Sequence, residues 1–305
     1  MTAPATKAAP AAKLRVLVVS KKSTYARYVE DERDARFEQL LRDGHASVAR
    51  IEAAHQEHEA ALDAARAALS HLGAQVTYQV VGGEVPSPAD LVVTLGGDGT
   101  LLWVSHIVPA GVPMVAINTA PSDSVGYFCA GTRDTLSDCL SDALRGALKA
   151  TVLTRMQVSL DGQFLSRRVL NDMLFSHRVP AATTRCVLEF RGESEDQKSS
   201  GIWVGPAAGS TAAIRSAGGE VLPFESEDLQ FVVREPYVGD GRTIRIRSGR
   251  VTPGESLALL SKTPTASVYL DGPYREHAVP MGARLEMTQS TEPLTLLGLP
   301  PRRLP

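Results

Sequence analysis

The run Gly96-Gly97-Asp98-Gly99-Thr100 sets one carboxylate among three glycines, directly after the apolar stretch 91–95 and directly before Leu101-Leu102-Trp103. Glycines let the backbone approach a phosphate closely, and the free N–H groups of a helix start favour the anion. A carboxylate there opposes simple anion binding, so Asp98 needs a task of its own. One task is to cap the helix together with Thr100. The other is to accept the proton of a hydroxyl attacking a phosphoryl group, or to help hold a metal ion that neutralises the phosphates. The complete context of strand, glycine turn and helix favours the chemical task. The loop is not a Walker A sequence, since GxxxxGK[ST] occurs nowhere. Nor is it the dinucleotide GxGxxG, because Leu102 stands where a third glycine would follow Gly97 and Gly99.

Such a loop needs a frame. Apolar runs at 14–19, 76–81, 91–95 and 114–117, separated by helical stretches, predict strands of a parallel sheet covered on both faces. Apolar residues at helical spacing from about 48 to 72 predict a helix that stops at Gly73. Further helices are expected over about 100–107 and 134–148. His45, His55, His58 and His71 fall in the first of these helical regions or beside it and are expected to be exposed. His55 and Glu59, one turn apart, are too little for a metal site. From Thr151 the pattern changes. Asp161-Gly162 supplies the positive φ angles of a two-residue hairpin, and CVLEFR, GIWVG, LQFVVRE, TIRIRS and ASVYL read as strands. The expectation is an α/β, Rossmann-like half over 14–150 carrying the glycine loop and a mostly β half over 151–295. Tails are expected at 1–13, disordered, and at 296–305.

Composition excludes several classes. Across 305 residues, 34 acidic groups oppose 32 basic ones, a balance of −2 that gives no reason to expect nucleic acid or an anionic membrane as partner. No stretch approaches the roughly 18 apolar residues of a membrane span. Cys129, Cys139 and Cys186 are too few and too irregular for a disulfide framework or CxxC metal site, and a reduced, cytoplasmic setting is expected.

GGDGT also occurs in NAD kinases, in diacylglycerol- and sphingosine-type lipid kinases and, in variant form, in phosphofructokinases. The remaining motifs resemble the NAD kinases. Val115-Ala-Ile-Asn118-Thr119 with Pro121, Ser124 and Gly126 is similar to their second glycine-bearing strand and loop. Asn171-Asp172 resembles their Asn-Glu pair, and Gly209-Ser210-Thr211-Ala212 followed by Ser216-Ala217-Gly218-Gly219 resembles GSTAY…SAGG. Within that family Gln197-Lys198-Ser199-Ser200-Gly201, Asn118-Thr119-Ala120-Pro121 and Arg234-Glu235-Pro236 are most like the KSSG, NTDP and REP segments of the mitochondrial-type branch.

The resemblance implies the NAD kinase two-domain fold, with a site between the halves and often across a homo-oligomer interface, in a homodimer or larger assembly. It implies transfer of the γ-phosphoryl group of ATP, with Mg²⁺, to the 2′-hydroxyl of the adenosine ribose of NAD or NADH. It implies Asp98 as base and Gly97, Gly99, Thr100, Asn118, Asn171, Asp172, Lys198, Ser200, Gly209, Ser210, Thr211, Ala212 and Ser216 as nucleotide contacts, with no metal held by protein ligands. Taken alone, Asn171-Asp172 also reads as a turn, and Ser210 or Thr211 as a helix cap. The family's TPTGSTAY is here Pro206-Ala-Ala-Gly-Ser-Thr-Ala-Ala213, so the two threonines and the aromatic are gone. Tyr127 and Trp203 are candidates to replace that ring, although Trp203 reads as a core residue. Lys198, Arg178, Arg185 and Arg215 are the cations near the motifs. Asp271-Gly272 resembles a late Asp-Gly of the branch, or is a plain hairpin. A kinase for a lipid or other small hydroxyl compound, and a non-catalytic NAD(H) sensor, are the alternatives.

Overall fold

The structure is a computed structural model that describes residues 13–83, 89–239 and 244–301. The outermost parts of the two expected tails, 1–12 and 302–305, lie outside the described residues, as does Thr243.

The first half alternates strands and helices. It runs β1 (Arg15–Ser20), α1 (Ala35–Arg42), α2 (Ile51–His71), β2 (Gln75–Val80), β3 (Leu91–Leu95), α3 (Asp98–Ser105), β4 (Met114–Asn118), β5 (Gly131–Thr132), α4 (Leu136–Leu144) and β6 (Ala150–Leu153). The β1 interior and all of β3 and β4 are buried, as expected of strands covered on both faces. The chain turns from building outward through β2 to building outward through β3 on the other side of β1. The C-terminal ends of β1 and β3, where Lys21 and the GGDGT loop lie, therefore flank the switch point at which open α/β sheets bind ligands.

The second half is a sandwich of two antiparallel sheets. Its strands are β7 (Met156–Leu160), β8 (Gln163–Val169), β9 (Met173–His177), β10 (Thr184–Phe190), β11 (Glu193–Ser199) and β12 (Gly201–Pro206). After the short α5 (Ala213–Ser216) follow β13 (Leu229–Arg234), β14 (Ser248–Val251), β15 (Ser256–Ser261), β16 (Ala266–Leu270), β17 (Glu276–Val279), β18 (Arg284–Gln289) and β19 (Leu294–Leu297). One sheet has the order β11-β10-β15-β18-β7-β8, the other β14-β13-β12-β9-β16-β17, and one apolar core lies between them. The Asp161-Gly162 turn forms as expected, with φ of +48° and +78° closing β7 on β8.

Several expectations are corrected. The TIRIRS segment is not a strand over its described residues; β14 begins at Ser248, its last residue. Both β6 and β19 join the first sheet, whose order is β2-β1-β3-β4-β19-β6, so the chain crosses between sheets at 153–156 and 289–294 rather than at 150 and 295. Leu296 and Leu297 thus end a strand instead of opening a tail. His58 is not exposed. It lies on the α2 face that carries Ala61, Ala65 and Leu69 onto the sheet, and is 1% exposed. The His55 side chain is only 16% exposed, stacked on Tyr25 at 4.8 Å.

The crossing is riveted by Arg155, which has no exposed surface. Its guanidinium donates to the carbonyls of Glu292 (2.5 Å), Pro293 (3.2 Å), Ser105 (2.8 Å) and Val108 (3.0 Å). One side chain thereby ties both chain crossings to the C-terminal end of α3, the helix that begins at Asp98.

Candidate active site

Gly97 is the N-cap of α3 and Asp98 its first residue. No side chain caps this helix end, so Asp98 does not serve as the helix cap. Its carboxylate reaches instead to the loop after β4, accepting the backbone N–H of Tyr127 and that of Phe128, each at 2.8 Å. The two donors offset the negative charge of the carboxylate, and each oxygen keeps a second lone pair. Tyr127, Phe128 and Phe224 pack as an aromatic cluster, with centroids 5.6 to 6.5 Å apart, and brace those donors.

The glycines divide their work. A Cβ on Gly97 would stand 2.2 Å from Ser124 Oγ, and one on Gly96 equally close to Thr100 Oγ1, so these two admit close packing within the protein. Gly99 is exposed, and a Cβ there would meet nothing within 4 Å. Gly99 thus opens on free space beside Asp98, whereas Thr100 is buried against Gly96. Asn118 is buried too, its amide donating to Ser124 O (2.8 Å) and accepting from Ala120 N (3.2 Å). It shapes the loop over Gly97. That loop is tied to the end of β1 by His58, whose Nδ1 lies 2.8 Å from Thr119 Oγ1 and whose Nε2 donates to Lys21 O at 3.0 Å.

The second half contributes Asn171 and Asp172. Asp172 is 6% exposed and accepts from the Asn171 amide at 2.8 Å. Burial, and then the nearby charge of Asp271, push its carboxyl up to about 7. The pair is held by Asp271, the first residue of the late Asp-Gly turn. Asp271 accepts the backbone N–H groups of Leu170 (2.8 Å), Asn171 (2.7 Å) and Asp172 (3.0 Å). His106, which ends α3, places Nε2 2.8 Å from Asp271 Oδ2, with the two side chains 3% and 1% exposed. A single eight-residue helix therefore joins Asp98 at one end to the Asn171-Asp172 anchor at the other. Sequence gives no sign of this, because His106 and Asp271 stand 165 positions apart.

The GSTA segment is packed on that anchor. A Cβ on Gly209 would come within 1.6 Å of Asn171 O, so glycine is required. Ser210 is wholly buried and bonds Ala207 O (2.7 Å) and Leu222 N (2.9 Å), a latch inside the protein. Thr211 and Ala212 are half-buried beside it, and Ser216 is exposed at the end of α5. The segment forms a 3₁₀ turn at 207–211 followed by the four residues of α5.

Lys198 and Ser200 are not brought to this place. Gly205 touches Asn171 and Asp172 at one end of β12, while Ser200 precedes its other end, about 17 Å away at strand spacing. There Lys198 Nζ lies over the Tyr237 ring at 4.1 Å, in a cleft of about 370 Å³ with Ser200 and Pro236. Trp203 is half-buried rather than core, because the alternation of β12 sends Ile202 and Val204 inward and Trp203 outward, under Arg234 at 5.8 Å. Cys129 approaches Gly96 O at 4.0 Å, but burial pushes its thiol up to about 12, which disqualifies it as a nucleophile.

Residues 15–134 match the family model described as ATP-NAD kinase N-terminal domain. A probable NADH kinase of Oryza sativa subsp. japonica is 34% identical over 232 residues, covering 69% of this chain and 71% of the relative. The chain belongs to the NAD kinase family. The NADH kinase of Arabidopsis thaliana is 33% identical, with 68% and 72% covered. The fold of the family is also seen in the crystal structure of an Archaeoglobus fulgidus NAD kinase in complex with ATP, at TM-score 0.63, 20% identity and 93% of each chain. Yeast NADH kinase complexed with NADH gives TM-score 0.64 at 16% identity, covering 94% of this chain and 84% of that one.

Proposed function

We propose that the protein transfers the γ-phosphoryl group of ATP to the 2′-hydroxyl of the adenosine ribose of NAD(H), giving NADP(H). The observation that carries this is the placement of Asp98, pinned by two backbone N–H groups beside the open face of Gly99 and joined through α3 to a nucleotide anchor. Phosphoryl transfer asks chiefly for positioning and for one site that takes a proton. Asp98 holds the ribose hydroxyl and accepts its proton as the oxygen attacks. Asn171 and Asp172 hold the nucleotide, with Thr211 and Ala212 lining the adenosine side. Tyr127 offers the ring that Ala213 lacks.

The GGDGT loop offers one carboxylate, and among the described residues no three His, Cys, Asp or Glu side chains gather as a metal cage. That donor set fits a Mg²⁺ ion carried in on the triphosphate, where it neutralises phosphate charge when bound. The position of Lys198 and Ser200 supports a homo-oligomer, since a nucleotide touching both them and Asp98 needs them from a second copy. The kinship with two plant NADH kinases supports a place near the mitochondrial-type branch. Three buried, unpaired cysteines suit a reducing compartment such as the cytoplasm. No described helix is long and apolar enough to cross a membrane.

The test is NADP(H) formation by the purified protein, with NAD and NADH as acceptors and ATP and inorganic polyphosphate as donors. Turnover with ATP and either acceptor is expected; phosphorylation of neither contradicts the reading.

A further inference from the structure

A kinase of this kind must set positive charge against phosphates, and within one chain the four cations near the sequence motifs do not bring it to Asp98. Lys198 and Arg185 face each other across β10 and β11, at the far end of the sandwich. Arg178 is paired with Glu276 at 3.4 Å, and Arg215 is exposed on α5. A different residue stands at the site. Arg275 closes the five-residue hairpin 271–275 between β16 and β17, its carbonyl accepting from Leu270 N at 3.1 Å. The start of that hairpin is Asp271, the staple of Asn171 and Asp172.

The position of Arg275 follows from α3. Thr100, Leu101, Val104 and Ser105 pack inward, so Gly99, Leu102, Trp103 and His106 form the face turned to the sandwich. Along this face His106 meets Asp271, and the Arg275 guanidinium carbon lies 5.8 Å from the centroid of Trp103. Gly99 is four residues before Trp103, about 6 Å along the helix, and opens on free space. Among the described residues the buried Nε of Arg275 has no hydrogen-bond acceptor. Asp271 is near, but its oxygens already accept three backbone N–H groups, and His106 Nε2 stands 2.8 Å from one of them. A buried guanidinium N–H without an acceptor is uncommon, and its fork geometry suits a phosphate.

We infer that Arg275 is the cation that binds a phosphate group of the nucleotide at the N-terminal end of α3, its hairpin held in register by the His106–Asp271 contact. This rests on the kinase reading and adds a residue to it. The phosphate belongs either to the triphosphate of the donor or to the pyrophosphate of the dinucleotide.

The experiment measures NADP(H) formation by full-length wild type, Arg275→Gln and Arg275→Lys. ATP is varied at saturating NAD(H) and NAD(H) at saturating ATP, with a thermal melt of each protein. Arg275→Gln is expected to lose about 10- to 100-fold in kcat/KM at unchanged melting temperature, with Lys recovering part of it. A loss in the ATP arm assigns the triphosphate, a loss in the NAD(H) arm the pyrophosphate, and a loss in both a contact shared by the two. Values within twofold of wild type in both arms overturn the assignment and leave the kinase intact. So does a loss that tracks a lowered melting temperature and that Lys does not relieve. A wild type that forms no NADP(H) overturns the kinase reading and this inference together.

Discussion

Asp98 and Asp172 stand at the two ends of one short structural path, and the protein holds them by opposite means. Asp98 is half-exposed, and each of its oxygens is met by a backbone N–H from a loop some thirty residues on. Asp172 is buried, receives one side-chain amide, and lies near the charge of Asp271, which adds to burial in pushing its carboxyl up to about 7. The first arrangement presents fixed, accessible lone pairs, which suits taking a proton. In the second the carboxyl keeps its proton to a higher pH than an ordinary carboxylate does, so it can donate as well as accept a hydrogen bond. The two carboxylates of the candidate site are thus set apart by their surroundings.

The sharpest way to break this comparison is the pH dependence of stability. Because the folded Asp172 keeps its proton to a higher pH than the unfolded chain does, it favours folding below the ordinary carboxylate range. That contribution is lost as pH rises from about 4 to about 7. Asp172→Asn abolishes this slope and is expected to raise stability at pH 8 by up to about 4 kcal/mol, with little change at pH 4. Denaturant unfolding at both pH values measures it, and equal effects at the two would place Asp172 in an ordinary environment.

Next in size is Gly209→Ala, which forces a methyl group into the carbonyl of Asn171 and should cost about 3 kcal/mol. It should also raise the KM for NAD(H), because the Asn171-Asp172 anchor must shift; a neutral substitution would show that the anchor is loose.

The smallest expected effect is on the Asp98 side and has the opposite sign in pH. Burial lowers the pKa of His58, so the folded state keeps it neutral, and its contribution is present above about 6.5 and lost as pH falls below that. His58→Gln, which removes the titrating group and keeps a polar side chain, should cost about 1 to 2 kcal/mol at pH 8 and less at pH 5. Thermal melts across that range check it.

The sequence showed the Asp98 end of the path far more clearly than the other. Strands β1, β3 and β4 announce themselves as apolar runs, and a strand, glycines and a helix in succession are local features. The Asp172 end depends on contacts that no local pattern records. Asn171-Asp172 could be singled out only by resemblance to a family motif, and its staple, Asp271, lies about a hundred positions away. The burial of His58 is decided by which face of α2 meets the sheet and by two loops, at Lys21 and Thr119, that close over it, none of which its neighbours in sequence display. Nothing in a hairpin sequence says which helix Arg275 will lie against. Lys198 and Ser200 belong to a motif, yet the length of β12 separates them from the Asn171-Asp172 pair, and only the fold reveals that distance.

The central claim is that Asp98 takes the proton of the attacking hydroxyl, and Asp98→Asn tests it most directly. The variant keeps one of the two backbone N–H contacts, because its amide nitrogen cannot accept the other, so it should melt lower yet remain folded at assay temperature. It should lose NADP(H) formation by about 10²- to 10⁴-fold in kcat at saturating ATP and NAD(H). A variant that forms NADP(H) at the wild-type rate would contradict the account.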